Sequence, residues 1–394
     1  MSDTFAILGT PGFVRDPGRF DDETMLKVLG ANSGNLMFQF AATQIIDAPL
    51  THISLAETAY SDPVALRGAK ALVFPAANHL RTGVDWTGLN AYLGLARQPL
   101  VVLGLGAQSP KIGGESATIA ALKADAQVMR MVDILRDKAA FVSVRGAFSQ
   151  AVCDALGLPD VAVLGCPSAL INPDPELGRA MARRLALAAS AGAGLKLAVT
   201  AAAPFEIRED RVKRDLERRL FGWATAFGGL YVQQSGGVAA MLAANGQWHR
   251  LTPNVRRSIA AILAPEMDPV ELWAYLAGSG RFYLSVPAWR DEMRGLDLVL
   301  GTRLHGNMAA IAAGTPGVII AHDSRTGELG QTMHLPRLAI AAVMGAGSLE
   351  AALPEVEFDG EAFDAWRGAT AATLTAAFDR IAIPVSPHVR ALAA

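Results

Sequence analysis

Cationic residues follow two apolar segments of strand length. Arg145 comes directly after residues 141–144, and Arg303 and His305 come after residues 298–300. If both segments are strands of parallel sheets, their carboxyl ends form the edge at which ligands bind. Guanidinium groups match carboxylate and phosphate oxygens bidentately, and histidine can transfer a proton near neutral pH. The sequence therefore predicts a site that holds a small, multiply charged anion and moves a proton.

Polar residues follow two further predicted strands and are candidates for contacts with a substrate. Asn78 and His79 follow a strand predicted at residues 71–75, although such a pair can also cap a loop. Gln108 lies in the glycine-containing segment 104–109 after another predicted strand. This segment lacks the third glycine of a GxGxxG motif, so a tight turn is an alternative to nucleotide binding.

Residues around the Arg-Leu-His segment extend the candidate site. Gly306 opens the helix predicted there, and a helix N-terminus offers free N–H groups to an anion. Asp323 and Arg325 follow the strand predicted at residues 317–321 and lie at the same edge, although they could form a simple surface pair. Cys166 has no base near it in the sequence, which indicates a small buried residue rather than a nucleophile.

The composition restricts the classes of function. The chain has 394 residues, of which 51% are hydrophobic and 18% charged, so it can fill two domains and is too apolar for disorder. A net charge of −2 without a basic run predicts no nucleic-acid partner. The charged run at residues 208–219 is interpreted as the solvated face of a helix. Two cysteines and no Cys/His cluster with ligand spacing predict neither a disulfide framework nor a metal site.

The sequence predicts neither a signal peptide nor a membrane-spanning segment. The N-terminus lacks the basic and apolar stretches of a signal peptide. The apolar stretches at residues 185–205 and 338–353 are interrupted by Lys196 and Glu350, whereas a spanning helix needs about 18 apolar residues. We therefore expect a cytoplasmic protein without a membrane span, which leaves room for peripheral membrane contact. Nothing in the sequence indicates an oligomeric state.

Strand-length apolar runs alternate with helical patterns, which predicts an α/β fold with parallel sheets. The Pro-rich segment 172–175 separates an N-terminal Rossmann-like domain, residues 1–175, from a C-terminal Rossmann-like domain, residues 176–350. The second domain carries the Arg-Leu-His segment, and the first is expected to bind the acceptor. Residues 351–394 are predicted to be helical and to pack back on the first domain. Two doubly wound domains that face each other resemble the glycosyltransferase-B architecture.

Individual elements can be compared with the structure. The periodicity predicts one long helix at residues 116–138 and a last helix at residues 360–380. Strands are predicted at residues 52–56 and 281–286, and a small-residue helix at residues 307–313.

The segment 297–329, which reads DLVLGTRLHGNMAAIAAGTPGVIIAHDSRTGEL, resembles the signature of the polysaccharide pyruvyl transferase family. In that family a strand leads into an Arg-Leu-His turn, a small-residue helix, a Gly-x-Pro, a strand and an Asp with a basic residue nearby. Residues 32–35 are similar to its N-terminal Asn-x-Gly motif. Residues 142–149 are similar to its central Ser-x-Arg turn, and residues 164–168 to the strand end that follows. The resemblance covers most of both predicted domains.

The resemblance implies a two-domain, glycosyltransferase-B-like enzyme that moves the pyruvyl group of phosphoenolpyruvate onto two hydroxyls of a sugar. Phosphate leaves and a cyclic ketal forms. By position, Arg145 and Arg303 would hold the carboxylate and phosphate of the donor, and His305 would act on the phosphate or donate a proton. Asp323 and His79 remain alternative candidates for the base that activates the sugar hydroxyl.

Two positions depart from the family pattern. Arg325 stands where some members have a lysine, which keeps the charge but replaces a point charge with a planar fork. The N-terminal motif contributes Asn32 and Asn35, and Asn35 stands where an acid is expected, so it cannot act as a carboxylate base. Both asparagines are nevertheless candidates for binding substrate.

The implied function belongs to exopolysaccharide or other cell-surface polysaccharide biosynthesis. Phosphoenolpyruvate is the donor substrate, a saccharide or glycolipid is the acceptor, and no cofactor is expected. A nucleotide-sugar-dependent glycosyltransferase of the same architecture is the alternative enzyme. A non-catalytic saccharide-binding relative is a further alternative, because Asn35 and Arg325 depart from the family pattern. The sequence does not identify the acceptor sugar or the pair of hydroxyls that is bridged.

Overall fold

Short, almost wholly apolar segments form the strands of two parallel sheets. The computed structural model describes residues 4–53, 66–109, 114–322 and 324–394, without the side chains of residues 324 and 325. In this part of the chain the first sheet has six strands, β1 Phe5–Leu8, β2 Leu50–Ile53, β3 Leu72–Pro75, β4 Leu100–Leu105, β5 Ala139–Val144 and β6 Ala162–Val163. The second sheet there also has six, β7 Leu197–Thr200, β8 Leu230–Val232, β9 Gly280–Arg281, β10 Leu298–Gly301, β11 Gly317–Ile320 and β12 Arg337–Leu338.

Helices connect these strands and cover both sheets. The N-terminal half contains α1 Asp22–Val28, α2 Asn35–Ile45, α3 Thr87–Leu95, α4 Glu115–Ala124, α5 Ala126–Lys138, α6 Ala147–Ala155 and α7 Leu177–Ala188. The C-terminal half contains α8 Arg211–Ala226, α9 Gly237–Ala244, α10 Pro253–Leu263, α11 Pro269–Ser279, α12 Val286–Arg294, α13 Leu304–Ala313, α14 Ser324–Thr332, α15 Ile340–Gly345, α16 Leu349–Ala352, α17 Gly360–Arg380 and α18 Pro387–Leu392. Short 3₁₀ helices include Pro167–Leu170 and Pro204–Glu206.

Both faces of each sheet are buried. In β1, Phe5 and Ile7 belong to a hydrophobic cluster with α2, α17 and α18, whereas Ala6 and Leu8 belong to a cluster with α3, α5 and α6. Successive strand residues point to opposite faces, so a strand that is apolar throughout needs helices on both sides. The strands of the second sheet divide in the same way between α8, α10 and α11 on one face and α12 and α13 on the other.

The strand order gives each sheet a switch point, which is the place where the chain begins to add strands in the opposite direction. The first sheet has the order β2-β1-β3-β4-β5-β6, and the second has β12-β11-β10-β7-β8-β9, with parallel pairing throughout. The second order is that of a Rossmann sheet, in which the switch point lies between β7 and β10. Two doubly wound parallel sheets are the components of a glycosyltransferase-B-like protein, so the predicted fold class is confirmed.

Several predicted elements differ in their bounds from those in the structure. The predicted helix 116–138 is two helices, because Asp125 leaves the helical conformation and its carboxylate accepts from the N–H groups of Gln127 and Val128. The predicted strand 281–286 ends at Arg281, and α12 begins where Ser285 caps it. Strand β2 starts two residues before the predicted strand 52–56, whose last three residues lie outside the described part of the chain.

Helix α17 has the predicted bounds, Gly360–Arg380, and packs on elements of the N-terminal half. The ring of Phe378 meets that of Phe141 in β5 edge to face, with the centroids 5.9 Å apart. Arg367 is buried, and its guanidinium group donates to the carbonyl oxygens of Ala169 at 3.0 Å and Asp174 at 2.7 Å. Helix α17 is therefore bonded to the Pro-rich segment 172–175, at which the sequence predicts the domain boundary.

Among the helices that the structure describes, none combines the length and the apolar character needed to cross a bilayer.

Candidate active site at the switch point of the second sheet

The carboxyl end of β10 places the Arg-Leu-His segment beside β7. A Cβ at Gly301, whose φ is +152°, would lie 2.0 Å from the carbonyl oxygen of Thr200, so only glycine fits this turn. Arg303 is the N-cap of α13, which begins three residues before the predicted helix 307–313. His305 and Gly306 therefore lie in the first helical turn. A Cβ at Gly306 would lie 2.5 Å from Cγ2 of Thr200, so this glycine lets α13 approach β7 closely.

Arg303 faces a small cavity at the switch point. Its guanidinium group forms an ion pair with Glu206, and its Nε donates to the carbonyl oxygen of Ala201 at 3.4 Å. The cavity has a volume of about 120 Å³ and is lined by Ala202, Glu206, Ile207, Lys213, Leu216, Glu217, Thr302, Arg303 and His322. These residues come from the segments that follow β7, β10 and β11 and from α8, which is where ligands bind in an open α/β sheet.

Glu217 is a residue of this cavity that the sequence analysis did not identify. It is 1% exposed, although it lies in the charged run that was interpreted as a solvated face. Burial raises the pKa of its carboxyl from 4.5 to about 7, against the opposing effect of hydrogen bonds from Thr302 and the N–H of Ala202. Arg208 and Arg211 of the same run are exposed, so the interpretation holds for them.

A signal for Glu217 was present in the sequence. Glu217, Leu220, Phe221 and Ala224 follow the spacing i, i+3, i+4, i+7, and all four are buried. This is the spacing of the apolar stripe of an amphipathic helix. An acid on such a stripe must be paired, protonated or functional, because an uncompensated buried charge is costly.

His305 faces the opposite side from Arg303, toward the N-terminal half. The side chain is 8% exposed, its Nε2 lies 3.8 Å from Sγ of Cys166, and its ring centroid lies 5.5 Å from that of Phe38. Ser168 donates from its hydroxyl to the same sulfur at 3.0 Å. Cys166 is buried, as predicted, but the fold brings His305 next to it across 139 residues of sequence.

The N-terminal Asn-x-Gly motif also reaches α13. A Cβ at Gly34 would lie 3.0 Å from Cβ of His305 and 2.6 Å from Nε2 of Gln234, so glycine is required for this close approach. Asn32 shapes the turn, because its Oδ1 accepts from the N–H of Gly34 at 2.8 Å. Asn35 donates from Nδ2 to the carbonyl oxygen of Leu29 at 2.9 Å and thereby helps to cap the end of α1.

The predicted residues of the first sheet form one hydrogen-bonded chain. Arg145 is 3% exposed and donates from Nη1 to Oδ1 of Asn78 at 2.8 Å and from Nε to the carbonyl oxygen of Gly104 at 3.1 Å. Asn78 donates in turn to Oε1 of Gln108 at 3.0 Å. The ends of β3, β4 and β5 are thereby connected, as their positions in the sequence predict.

An acid from the C-terminal half caps the helix that follows Arg145. Glu328 in α14 accepts from the N–H of Ser149 at 2.8 Å and from its hydroxyl at 3.3 Å. Burial raises the pKa of Glu328, while these hydrogen bonds and Arg145 oppose the shift. A Cβ at Gly146 would lie 2.4 Å from Cγ of Glu328, so the glycine of the Ser-x-Arg turn makes room for this contact.

His79 lies in an aromatic environment near this network. Its Nδ1 accepts from the N–H of Ala77 at 2.8 Å, and its ring lies between those of Phe74 and Trp86, at 4.8 and 5.0 Å. Burial, followed by the charge of Arg145, lowers the pKa of His79 from 6.5 to about 3. Such a weak base favours a structural part for His79.

Two predicted site residues cannot be placed. Asp323 lies outside the described residues, and Arg325 lies in α14 but its side chain is not among those described. Among the described residues, no three His, Cys, Asp or Glu side chains are grouped closely enough to hold a metal ion.

The two doubly wound sheets, with Arg303 and His305 at a switch point, define a two-domain α/β protein of the glycosyltransferase-B-like class. The family model described as polysaccharide pyruvyl transferase matches residues 38–324. The chain therefore belongs to the polysaccharide pyruvyl transferase family, as its motifs predict. The matched region contains Arg145, Arg303, His305 and Asp323, whereas Arg325 and the Asn-x-Gly motif lie outside it.

Similar solved structures extend over nearly the whole chain at low identity. A putative UDP-N-acetylglucosamine 2-epimerase from Listeria monocytogenes is 11% identical, with a TM-score of 0.43 and coverage of 95% of this chain and 97% of its own. HepE from Anabaena in complex with UDP is 13% identical, with a TM-score of 0.39 and coverage of 95% and 100%. The wall teichoic acid polymerase TagF, in an H444N variant, is 11% identical, with a TM-score of 0.40 and coverage of 96% and 89%. No curated protein sequence matches the chain.

Proposed function

We propose that this protein transfers the pyruvyl group of phosphoenolpyruvate onto two hydroxyls of a saccharide or glycolipid. The observation that carries the proposal is the junction of β10 and α13. There Arg303 lines a cavity at the switch point while His305, two residues later, faces the N-terminal half. A donor with a phosphate at one end and a reacting carbon at the other fits such a junction. Membership of the pyruvyl transferase family supports the same reaction.

The chemistry assigns different tasks to these residues. A proton from His305 adds to the methylene carbon of the donor, and the neighbouring carbon becomes cationic and is attacked by the first sugar hydroxyl. The bond from that carbon to the phosphate oxygen then breaks, phosphate leaves, and the second hydroxyl closes the ketal. Both hydroxyl protons are removed: a base, for which we propose Asp323, takes one and passes it to the departing phosphate, and His305 takes the other and so regains the proton that it gave to the methylene carbon.

Fixed positive charge favours the departure of phosphate. The Nε of Arg303 is held at the switch point by the carbonyl oxygen of Ala201, and the half-exposed Glu206 carboxylate that pairs with the guanidinium group can give way to a bound phosphate. We assign the donor carboxylate to Arg145, which the buried chain with Asn78 and Gln108 holds in place. No cofactor takes part in the proposed reaction, which we place in the cytoplasm during the synthesis of a cell-surface polysaccharide.

Calorimetric titration with phosphoenolpyruvate and an assay of phosphate release test this proposal. Arg303→Ala should weaken donor binding more than tenfold. His305→Ala should retain binding but lose turnover by at least 100-fold, because general acid catalysis contributes about 10²–10⁴-fold. Arg208→Ala is the matched control, because the Arg208 side chain is 61% exposed and pairs only with its neighbour Glu209 among the described residues. Near-normal binding and turnover in both site variants would rule out the assignment.

The position of the cavity favours one second candidate. The switch point of a sheet with this strand order is where dinucleotides and nucleotides commonly bind, so a nucleotide-sugar donor is the alternative. Saturable binding of a nucleoside diphosphate that phosphoenolpyruvate cannot displace would favour glycosyl transfer over pyruvyl transfer.

A further inference from the structure

The two carboxyl oxygens of Glu217 differ in their hydrogen bonds. Oε1 accepts from the N–H of Ala202 at 3.0 Å and from the hydroxyl of Thr302. Within the described part of the chain, Oε2 is buried and has no hydrogen-bond partner. Leaving a buried polar group unsatisfied costs about 1–3 kcal/mol. A proton on Oε2 would turn this oxygen into a donor that needs an acceptor.

The cavity supplies a place for such an acceptor. Glu217 lines it together with Arg303, and Thr302 connects the two because it precedes Arg303 in the chain and donates to Glu217. The arginine and the acid therefore act on the same small volume.

The charged and titratable groups around Glu217 come from several elements. Glu206 follows β7, Lys213 lies one turn earlier in α8, Arg303 follows β10 and His322 follows β11. Tyr231 in β8 lies close enough for the charge of Glu217 to contribute to its raised pKa. The side chain of Glu206 is 38% exposed and can turn toward solvent, whereas Glu217 is enclosed and cannot.

We propose that Glu217 is a further binding residue of this site, whose protonated carboxyl donates a hydrogen bond from Oε2 to an oxygen of the anion held by Arg303. The inference rests on the proposed function, in which that anion is the phosphate of phosphoenolpyruvate. Binding then exchanges the Glu206 carboxylate for the phosphate at Arg303 and keeps the proton on Glu217. Since a second carboxylate beside the phosphate would repel it, the anion binds together with a proton.

The pKa of about 7 for Glu217 sets the conditions of the test. At pH 8 the free protein carries this carboxyl mostly ionised, so binding of the donor should take up between about 0.5 and 0.9 of a proton. A phosphate monoester with a second pKa of about 6 is already fully ionised at that pH, so the donor itself releases almost no proton. Titration of phosphoenolpyruvate in two buffers with different ionisation enthalpies measures the number of protons taken up.

Glu217→Gln is the decisive variant. Its amide oxygen can accept from Ala202 and Thr302, and its NH₂ group can donate to the ligand without a proton being taken up. We expect wild-type affinity to fall roughly tenfold between pH 7 and pH 8.5, and the affinity of the variant to stay nearly constant. Glu209→Gln, at a side chain that is 92% exposed, should behave as the wild type does.

The outcomes separate this inference from the proposed function. Equal proton uptake in wild type and Glu217→Gln would overturn the role of Glu217, because a different group, such as His322, would then be titrating. Donor binding by the wild type without proton uptake would also overturn it, while the donor assignment would stand. Failure of the wild type to bind phosphoenolpyruvate at any pH from 6 to 8.5 would refute the proposed function and this inference together.

Discussion

Replacing Glu217 with glutamine should change how the stability of the protein without ligand depends on pH. The folded-state pKa of about 7 lies above the ordinary value of 4.5, so between these values the folded protein keeps a proton that the unfolded chain has lost. Stability therefore falls as the pH rises through this window, and it is highest below pH 4.5 as far as this group is concerned. The full effect is about 3 kcal/mol, because each pH unit corresponds to about 1.4 kcal/mol.

Urea unfolding at pH 5, 6, 7 and 8 measures this effect. Tryptophan fluorescence follows the unfolding, and Trp223 is buried in α8, the helix that carries Glu217. Between pH 5 and pH 8 the free energy of unfolding of the wild type should fall by about 2–3 kcal/mol relative to Glu217→Gln. The comparison isolates one carboxyl, because the variant keeps every other titratable group. Parallel pH profiles of the two proteins would refute the reasoning, since they would show that Glu217 titrates alike in the folded and unfolded states.

Three further predictions concern other residues. Gly301→Ala should cost more than about 3 kcal/mol in thermal unfolding, because the new Cβ would overlap a backbone carbonyl of β7, whereas Gly222→Ala, at an exposed helical position with open space, should be neutral or stabilising by up to about 1 kcal/mol. Equal destabilisation of both would contradict the geometry of the turn. Glu206→Gln should tighten binding of phosphoenolpyruvate several-fold in calorimetry, because it removes the carboxylate that competes for Arg303; unchanged or weaker binding would speak against that competition. His79 must gain a proton on unfolding, since its folded pKa of about 3 lies below the ordinary 6.5, so its contribution is lost as the pH falls from 6.5 toward 3. The wild type should lose about 2 kcal/mol more than His79→Gln between pH 6.5 and 4.5 in urea unfolding, and identical acid sensitivity would disprove the neutral buried ring.

Much of the fold could be predicted because it is encoded locally. Strands such as Leu100–Leu105 are apolar throughout, and the long helix Gly360–Arg380 has a helical pattern bounded by a capping aspartate. The first strand, Phe5–Leu8, was missed because four residues carry too little periodicity, and the structure identifies it through pairing with two neighbours that are far away in sequence. Helix α7 was missed as well, although its buried residues Leu177, Met181 and Ala188 follow a helical spacing, and it packs against α17 at the other end of the chain.

The candidate site was predictable to the extent that it follows strand ends. Arg145, Asn78 and Gln108 were expected near each other on that basis, and hydrogen bonds join them in the structure. The contact between Cys166 and His305 was not predictable, because it depends on how the two halves of the chain face each other. Glu217 was not predicted for a different reason. It lies in a run of charged residues, so its position on the apolar stripe of α8 is hard to recognise from the sequence.

The junction of β10 and α13 places two residues of one short motif in two different surroundings. Arg303 is the N-cap of α13 and has an extended backbone, whereas His305 lies in the first helical turn, so the two side chains leave the chain in different directions. Arg303 accordingly lines the cavity with Glu217, while His305 packs against Cys166 and Phe38 on the other side. The proposed donor would contact both Arg303 and His305. It would therefore extend around the N-terminus of α13, with its phosphate on the cavity side and its reacting carbon toward the N-terminal half. In the proposed reaction the acceptor would approach from the N-terminal half, because the donor phosphate would occupy the cavity beside Arg303 and Glu217.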